Sequence, residues 1–355
     1  MKTLIGCCLI HLCIGSIYAT SVLYNPLIEV TGWDISVLVN GFALTILALG
    51  CTASLHQRIF EGFSKRSMLY GAIAQWTFAQ GLTIMCILGN FPWVYYVSSL
   101  ILGGAIGLMY VIPINIITDY GFKHVGRASG AVVCCFGLGS IIASKVFAGV
   151  PMSCLIVLYA LYAFLMILGV QLINCTDFLT YPNAFHIDKR WYALAAVFFL
   201  NIGIGISLLS NMVNLSIDNG LTLDTAILLV ALAGVANTVG RLLYSTLSDY
   251  CGKFDMLTML LWIQITSLIC IILWDMWIGP VILIISVYGG VFALMPSLMK
   301  DLYGSTAPYS RVLSMWGFAG LICPILFSHL GMSLLLVMSI CTIMISSGLI
   351  LKASR

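Results

Sequence analysis

The chain has 355 residues, of which 61% are hydrophobic and 8% charged, with a formal net charge of +3. A soluble globular domain carries nearer to about 25% charged residues, so that class is excluded. The small positive balance equally gives no basic surface for nucleic acid, and what remains is a polytopic membrane protein.

A helix needs about 20 mostly apolar residues to cross the hydrocarbon layer. Runs of that kind lie at 3–24, 36–57, 67–88, 93–117, 127–149, 151–173, 190–214, 222–247, 255–274, 278–299, 309–329 and 332–351. The longest connector falls mid-chain. This predicts an all-α membrane protein of twelve spans: an N-terminal six-helix bundle over 1–173, a cytoplasmic linker over 174–189 and a C-terminal six-helix bundle over 190–355.

Lys and Arg close to span ends are retained in the cytoplasm. Alternate loops carry Lys2, Arg58, Lys65, Arg66, Lys123, Arg127, Lys189, Arg190, Lys253, Lys300, Arg311, Lys352 and Arg355, whereas the opposite loops hold Glu29, Asp34, Asp218, Asp224 and Asp275. The asymmetry places both termini in the cytoplasm, as an even number of spans requires. Met1-Lys2 before an apolar stretch ending near Ala19 also imitates a secretory signal, but cleavage there would leave an odd count. The 13 Cys fall in apolar runs or at their edges, where free Cys acts as a small hydrophobe. Neither a disulfide framework nor a metal spacing results.

In chain order, the charged or imidazole residues inside spans, leaving out those within the first or last three positions, are His11, Lys145 and Arg241. Intramembrane charge is expensive and marks a candidate functional site. His11 is either hydrogen-bonded packing or the one titratable group available for coupling. Lys145 stands near the outer end of the fifth span, from which it can snorkel outward or draw anions into a vestibule. Arg241 lies deeper, several residues before Asp249.

The two halves echo each other. Gly103 to Met109 (Gly-Gly-Ala-Ile-Gly-Leu-Met) in the fourth span matches Gly289 to Met295 (Gly-Gly-Val-Phe-Ala-Leu-Met) in the tenth. Pro113 answers Pro296, Asp119-Tyr120-Gly121 answers Asp301-Leu302-Tyr303-Gly304, and Arg127 answers Arg311. Six spans repeated in parallel about a central loop is an arrangement of transporters whose halves rock about a midplane site.

On these features the chain resembles the major facilitator superfamily. Gly240-Arg241 followed by Ser248-Asp249-Tyr250-Cys251-Gly252-Lys253 is similar to the superfamily's gating loop. The resemblance implies that Asp249 caps a neighbouring helix while Lys253 anchors the cytoplasmic end. The first-half loop, His56 to Arg66, keeps basic residues, Arg58 among them, but blurs the Gly and Asp positions. Gly15 to Val22 with Pro26, Gly32-Trp33, Tyr110 with Pro113, and Arg127-Ala128-Ser129-Gly130 with Phe136-Gly137-Leu138-Gly139 resemble the oxalate/formate antiporter and monocarboxylate transporter branch.

That likeness implies that Arg241 binds a substrate carboxylate, for which a guanidinium fork is suited; closing a cytoplasmic gate is its other possible use. Tyr18, Tyr110, Trp316 and Asn237 join Arg241 as substrate-site residues. Oxalate carriers of the branch place a Lys where Trp316 stands, so a monocarboxylate fits better than a dicarboxylate. Proton-coupled members carry an Asp at the position of Asn237, so their proton mechanism is not inherited. The expected function is alternating-access transport of a small organic anion, by antiport or facilitated diffusion, by a monomer in a lipid bilayer of unspecified identity. The alternative is a receptor or sensor that kept the scaffold without transporting. No phosphate-binding loop is present, no cofactor or metal is implied, and no cluster of His, Glu or Asp in the spans suggests an enzyme.

Overall fold

The computed structural model describes residues 1–149, 151–175, 177–179, 187–274, 276–305 and 307–353. Asp275, Arg355 and linker residues 176 and 180–186, all invoked above, lie outside the described residues. Among the described residues, twelve helices are long and apolar enough to span a membrane: Lys2–Thr31, Ile35–Ile59, Lys65–Gly89, Pro92–Asp119, Val125–Gly149, Leu155–Leu172, Lys189–Asp218, Leu223–Cys251, Lys253–Trp274, Ile278–Tyr303, Ala307–Phe327 and His329–Ser346. The protein is thus an all-α, multi-pass membrane protein. Its spans follow the expected order, most of them extending a few residues beyond the apolar runs.

Local chemistry explains where the spans begin and end. The Asp34 carboxylate accepts from the amide of Ser36 at 2.8 Å, Ser64 from Ser67 at 3.0 Å, Asp188 from Trp191 at 2.9 Å and Thr222 from Thr225 at 3.4 Å. Each relieves an amide that has no partner in the first turn of its helix. The third span stops at Asn90, which takes a left-handed conformation with φ 55°, and its side-chain oxygen accepts from the Trp33 indole.

The first span is not one α-helix. It is α-helical over Lys2–Ile14, a 3-10 helix over Gly15–Leu23 and α-helical again over Tyr24–Thr31. Two hydroxyls in this stretch turn back on their own backbone, Ser16 onto Cys13 at 2.7 Å and Thr20 onto Ile17 at 2.8 Å. Pro26 supplies no amide for the next turn. Such local bonding competes with α-helical pairing, and a 3-10 stretch within a helix often marks a hinge.

The chain divides into two compact units, one formed by Met1–Gly121 with Cys135–Asn183, the other by Phe122–Cys134 with Ala184–Arg355. The expected bundles assigned 122–134 to the N-terminal half; here this segment groups with the second unit. The cause is glycine. A Cβ on Gly126 would overlap the Ser245 carbonyl and one on Gly130 the Ser245 hydroxyl, so only glycine lets the start of the fifth span lie against the eighth.

Within each unit the repeated glycine motif does one job. In the first unit a Cβ on Gly103 would overlap the Thr45 carbonyl and one on Gly107 would press on Leu49, both in the second span. In the second unit a Cβ on Gly289 would overlap Asn237 and one on Gly290 the Tyr244 ring, both in the eighth span. Missing side chains thus seat the fourth span on the second and the tenth on the eighth, the close approach that small residues permit between membrane helices. Pro113 and Pro296 both lie inside continuous helices.

Candidate functional site

In the second unit the site is built outward from Arg241, whose exposure is 1%. Its Nε donates to the Asn237 side-chain oxygen one helical turn earlier, at 3.3 Å. Its Nη1 donates to the backbone carbonyl of Val133 in the fifth span, at 3.2 Å. The guanidinium carbon also stands 5.3 Å from the ring centre of Phe292, within the range of a cation–π contact.

The glycine contact explains that position. Gly289 admits Asn237, and Phe292, one turn further along the tenth span, then comes against Arg241. Phe292 meets Trp316 edge-on at 4.8 Å, Phe198 at 5.1 Å and Tyr288 at 6.2 Å. Arg241, Asn237 and Trp316, named separately from sequence, therefore share one neighbourhood, with Trp316 one ring removed from the guanidinium. Phe292 and Val133 were not identified from sequence.

In the first unit a ring at a different place, Phe136 of the fifth span, gathers the candidate residues. A Cβ on Gly15 would overlap the Phe136 carbonyl, and one on Gly139 the Leu12 carbonyl. The backbones of the first and fifth spans thus touch, and the Phe136 ring meets Tyr18 at 5.5 Å, Tyr110 at 5.4 Å and His11 at 6.4 Å. His11 is fully buried, 5.1 Å from Tyr110. Its Nδ1 lies 3.2 Å from the Cys7 carbonyl. A carbonyl only accepts, so Nδ1 carries the proton in that contact. His11, Tyr18 and Tyr110 share one cluster; Lys145 lies apart from it, exposed near the end of the fifth span.

The loop residues assemble as caps and ion pairs. Asp249 accepts from the amides of Gly126 at 2.9 Å and Arg127 at 2.7 Å, the first turn of the fifth span. A carboxylate is favoured there by the unpaired amides and the positive end of the helix dipole. Beside it His124 stacks on Tyr250 at 5.5 Å. Lys253 binds Asp301 at 2.6 Å.

The first unit repeats that last pair. Lys65 opens the third span as Lys253 opens the ninth, and it lies 3.7 Å from Asp119 at the end of the fourth. Arg58, the base of that loop expected to take part in gating, is exposed at the end of the second span. Lys65 also approaches Asp177 at 4.0 Å. Its amide donates to the Asp177 carbonyl at 3.0 Å, and Leu179 and the 62–63 turn exchange bonds of 2.9 and 2.7 Å. The start of the linker is thus paired, strand-like, with the first-half loop. No side-chain pattern announces such main-chain pairing.

No family model and no curated protein sequence matches the chain. Solved structures do. FucP, a major facilitator superfamily transporter in the outward conformation, superposes with a TM-score of 0.75 at 13% identity over 98% of both chains. The human organic anion transporter MFSD10 gives 0.72 at 14% identity over 98% of this chain and 96% of its own. A bacterial homologue of the iron transporter ferroportin, in an outward-facing state, gives 0.77 at 12% identity over 100% and 99%. At such identities the likeness is one of architecture: the chain has the major facilitator fold.

Proposed function

We propose that the protein is a secondary transporter of small organic anions, monocarboxylates first among them, which moves its substrate by alternating access of two six-helix halves with both termini cytoplasmic. The reading rests on Arg241, a guanidinium buried in a membrane-spanning helix and oriented by Asn237, the Val133 carbonyl and the Phe292 ring. A carboxylate is a better partner for that cation than a neutral carbonyl, because charge-assisted hydrogen bonds are about twice as strong as neutral ones. Trp316 and Phe292 supply apolar walls for a short organic tail. Among the structural neighbours, MFSD10 is an organic anion transporter, which is compatible with this chemistry. The resemblance to the oxalate/formate and monocarboxylate branch, with Trp in place of a second cation, favours one carboxylate over two.

The test is uptake of labelled lactate, pyruvate, formate, oxalate and, as neutral controls, fucose and xylose into proteoliposomes. Saturable uptake of monocarboxylates that Arg241→Ala abolishes supports the assignment. Uptake of the sugars alone, or equal uptake by wild type and Arg241→Ala, refutes it. Absence of uptake together with retained carboxylate binding would favour the receptor or sensor reading.

A further inference from the structure

A cavity of about 50 Å³ lies inside the first unit, bordered by the first, second, third, fourth and sixth spans. None of the Arg241 neighbourhood takes part in it. On this measure of volume a water needs about 10–15 Å³, so the space suits a few waters or a small ion and is too small for a sugar or a carboxylate with a tail.

Its polar wall is rich in acceptors. Thr20 gives its hydroxyl hydrogen to Ile17, Thr45 to the Gly41 and Ser99 carbonyls, and Ser99 to Tyr95. Ser98 also gives its hydrogen to Tyr95, at 2.8 Å. Of the Thr83–Ser98 pair at 3.0 Å, Thr83 must therefore be the donor. Thr20, Thr45, Thr83 and Ser99, from four different spans, have spent their hydrogens on protein and meet any further partner as acceptors, the Tyr24 and Tyr95 phenols beside Thr20 and Ser99 included.

The remaining wall is aromatic and amide, from Tyr24, Phe42, Tyr95, Tyr159 and Gln80, and aliphatic, from the Ile and Leu side chains of all five spans except the second. Aromatic faces are negative and attract cations. Among the described residues, no Asp, Glu, Lys or Arg borders the space. One side is the 3-10 turn of the first span, through Ile17 and Thr20. Discontinuous spans are where many membrane carriers hold sodium ions or protons, on unwound backbone carbonyls and half-helix ends.

We propose that this cavity is a binding site for a monovalent metal cation of sodium size, with the oxygens of Thr20, Thr45, Thr83 and Ser99 as its ligands. The site goes beyond the anion reading and does not depend on it. If both hold, one cation and one monocarboxylate moving together carry no net charge, which supplies a coupling ion in a chain whose spans offer no evident carboxylate.

Thermal unfolding of the purified, detergent-solubilised protein in sodium, potassium or choline chloride at equal ionic strength tests it. The expected result is a saturable rise in midpoint with sodium, smaller with potassium and absent with choline. Thr45→Val is nearly isosteric and should raise the half-saturating sodium concentration at least tenfold; Thr45→Ser should restore it, and Ser99→Ala provides a second loss variant. In unmutated protein, sodium should also protect Tyr24, Tyr95 and Tyr159 from hydroxyl-radical oxidation. Equal midpoints in all three salts overturn the proposal and leave a water-filled cavity; sodium stabilisation that is unchanged in Thr45→Val or Ser99→Ala overturns it as well. Arg241→Ala must leave the sodium effect intact while removing carboxylate binding, so the two readings fail separately.

Discussion

In the first unit a phenylalanine of the fifth span, Phe136, gathers Tyr18, Tyr110 and His11; in the second a phenylalanine of the tenth span, Phe292, gathers Arg241, Tyr288 and Trp316. Around these hubs the frame is shared. Both units seat a Gly-Gly step on the span two earlier, and both join a Lys that opens one span to an Asp that closes the next. The two units thus share contacts that hold helices together, while their hubs differ in place and in chemistry, with the cation in one and two phenols and an imidazole in the other. Substrate selectivity should accordingly follow the hubs, and folding should follow the frame.

The comparison is broken most directly at Arg241. Arg241→Ala should abolish carboxylate binding in a folded protein, and Arg241→Lys, which keeps the charge but loses the planar fork, should weaken it by about one to two orders of magnitude, since a hydrogen bond to a charged group contributes roughly 1.5–3 kcal/mol. Equilibrium binding by calorimetry reads both; an unaltered affinity in Arg241→Ala would move the site elsewhere.

A smaller effect tests the shared frame. Gly103→Val and Gly289→Val each force a side chain into a neighbouring backbone and should each destabilise by about 1–3 kcal/mol, seen as comparable drops in unfolding midpoint. If only one variant is destabilised, the two Gly-Gly steps are not equivalent. Smaller again is Asp249→Asn, which keeps an acceptor but loses the charge at the start of the fifth span, at a cost of no more than about 1 kcal/mol. Faster amide exchange at Gly126 and Arg127 would be its signature, with the rest of the span unaffected.

The smallest effects concern His11 and Lys145. His11→Gln should leave the response of uptake to an imposed pH gradient nearly unchanged, because the imidazole is enclosed between Tyr110 and Phe136; loss of a strong gradient dependence would instead make it the coupling group. Lys145→Ala should lower apparent affinity only at low salt, because an exposed charge acts through a screened field. A loss that persists in 1 M salt would put Lys145 in the binding site.

Much of this was legible in the sequence, and the boundary has physical reasons. Apolar length gives the spans, and the Gly-Gly steps, Asp119 and Asp301 give the repeat, because glycine and acid stand out against an apolar background. Asp249 was legible only through the resemblance of its loop to the superfamily's gating loop. Phe136 and Phe292 were not, since a Phe in an apolar helix carries no signal until packing selects it. Lys65 did not stand out from the other bases of its loop, because only the fold shows which of them meets Asp119. The 3-10 turn left a trace in Ser16, Thr20 and Pro26, but its extent depends on how closely the first and fifth spans approach.

The cap that Asp249 places on the fifth span has a consequence for biogenesis. Arg127 and Asp249 are 122 residues apart in the chain, and at about 5–20 residues per second of synthesis the carboxylate follows its amides by roughly 6 to 24 s. During that interval the start of the fifth span has reached the membrane without the acid that will cap it or the Ser245 surface that Gly126 and Gly130 are shaped to meet. Completion of the second unit's 122–134 segment is therefore scheduled by the arrival of the eighth span, and a ribosome stalled between residues 150 and 240 would leave a fifth helix that still frays at its first turn.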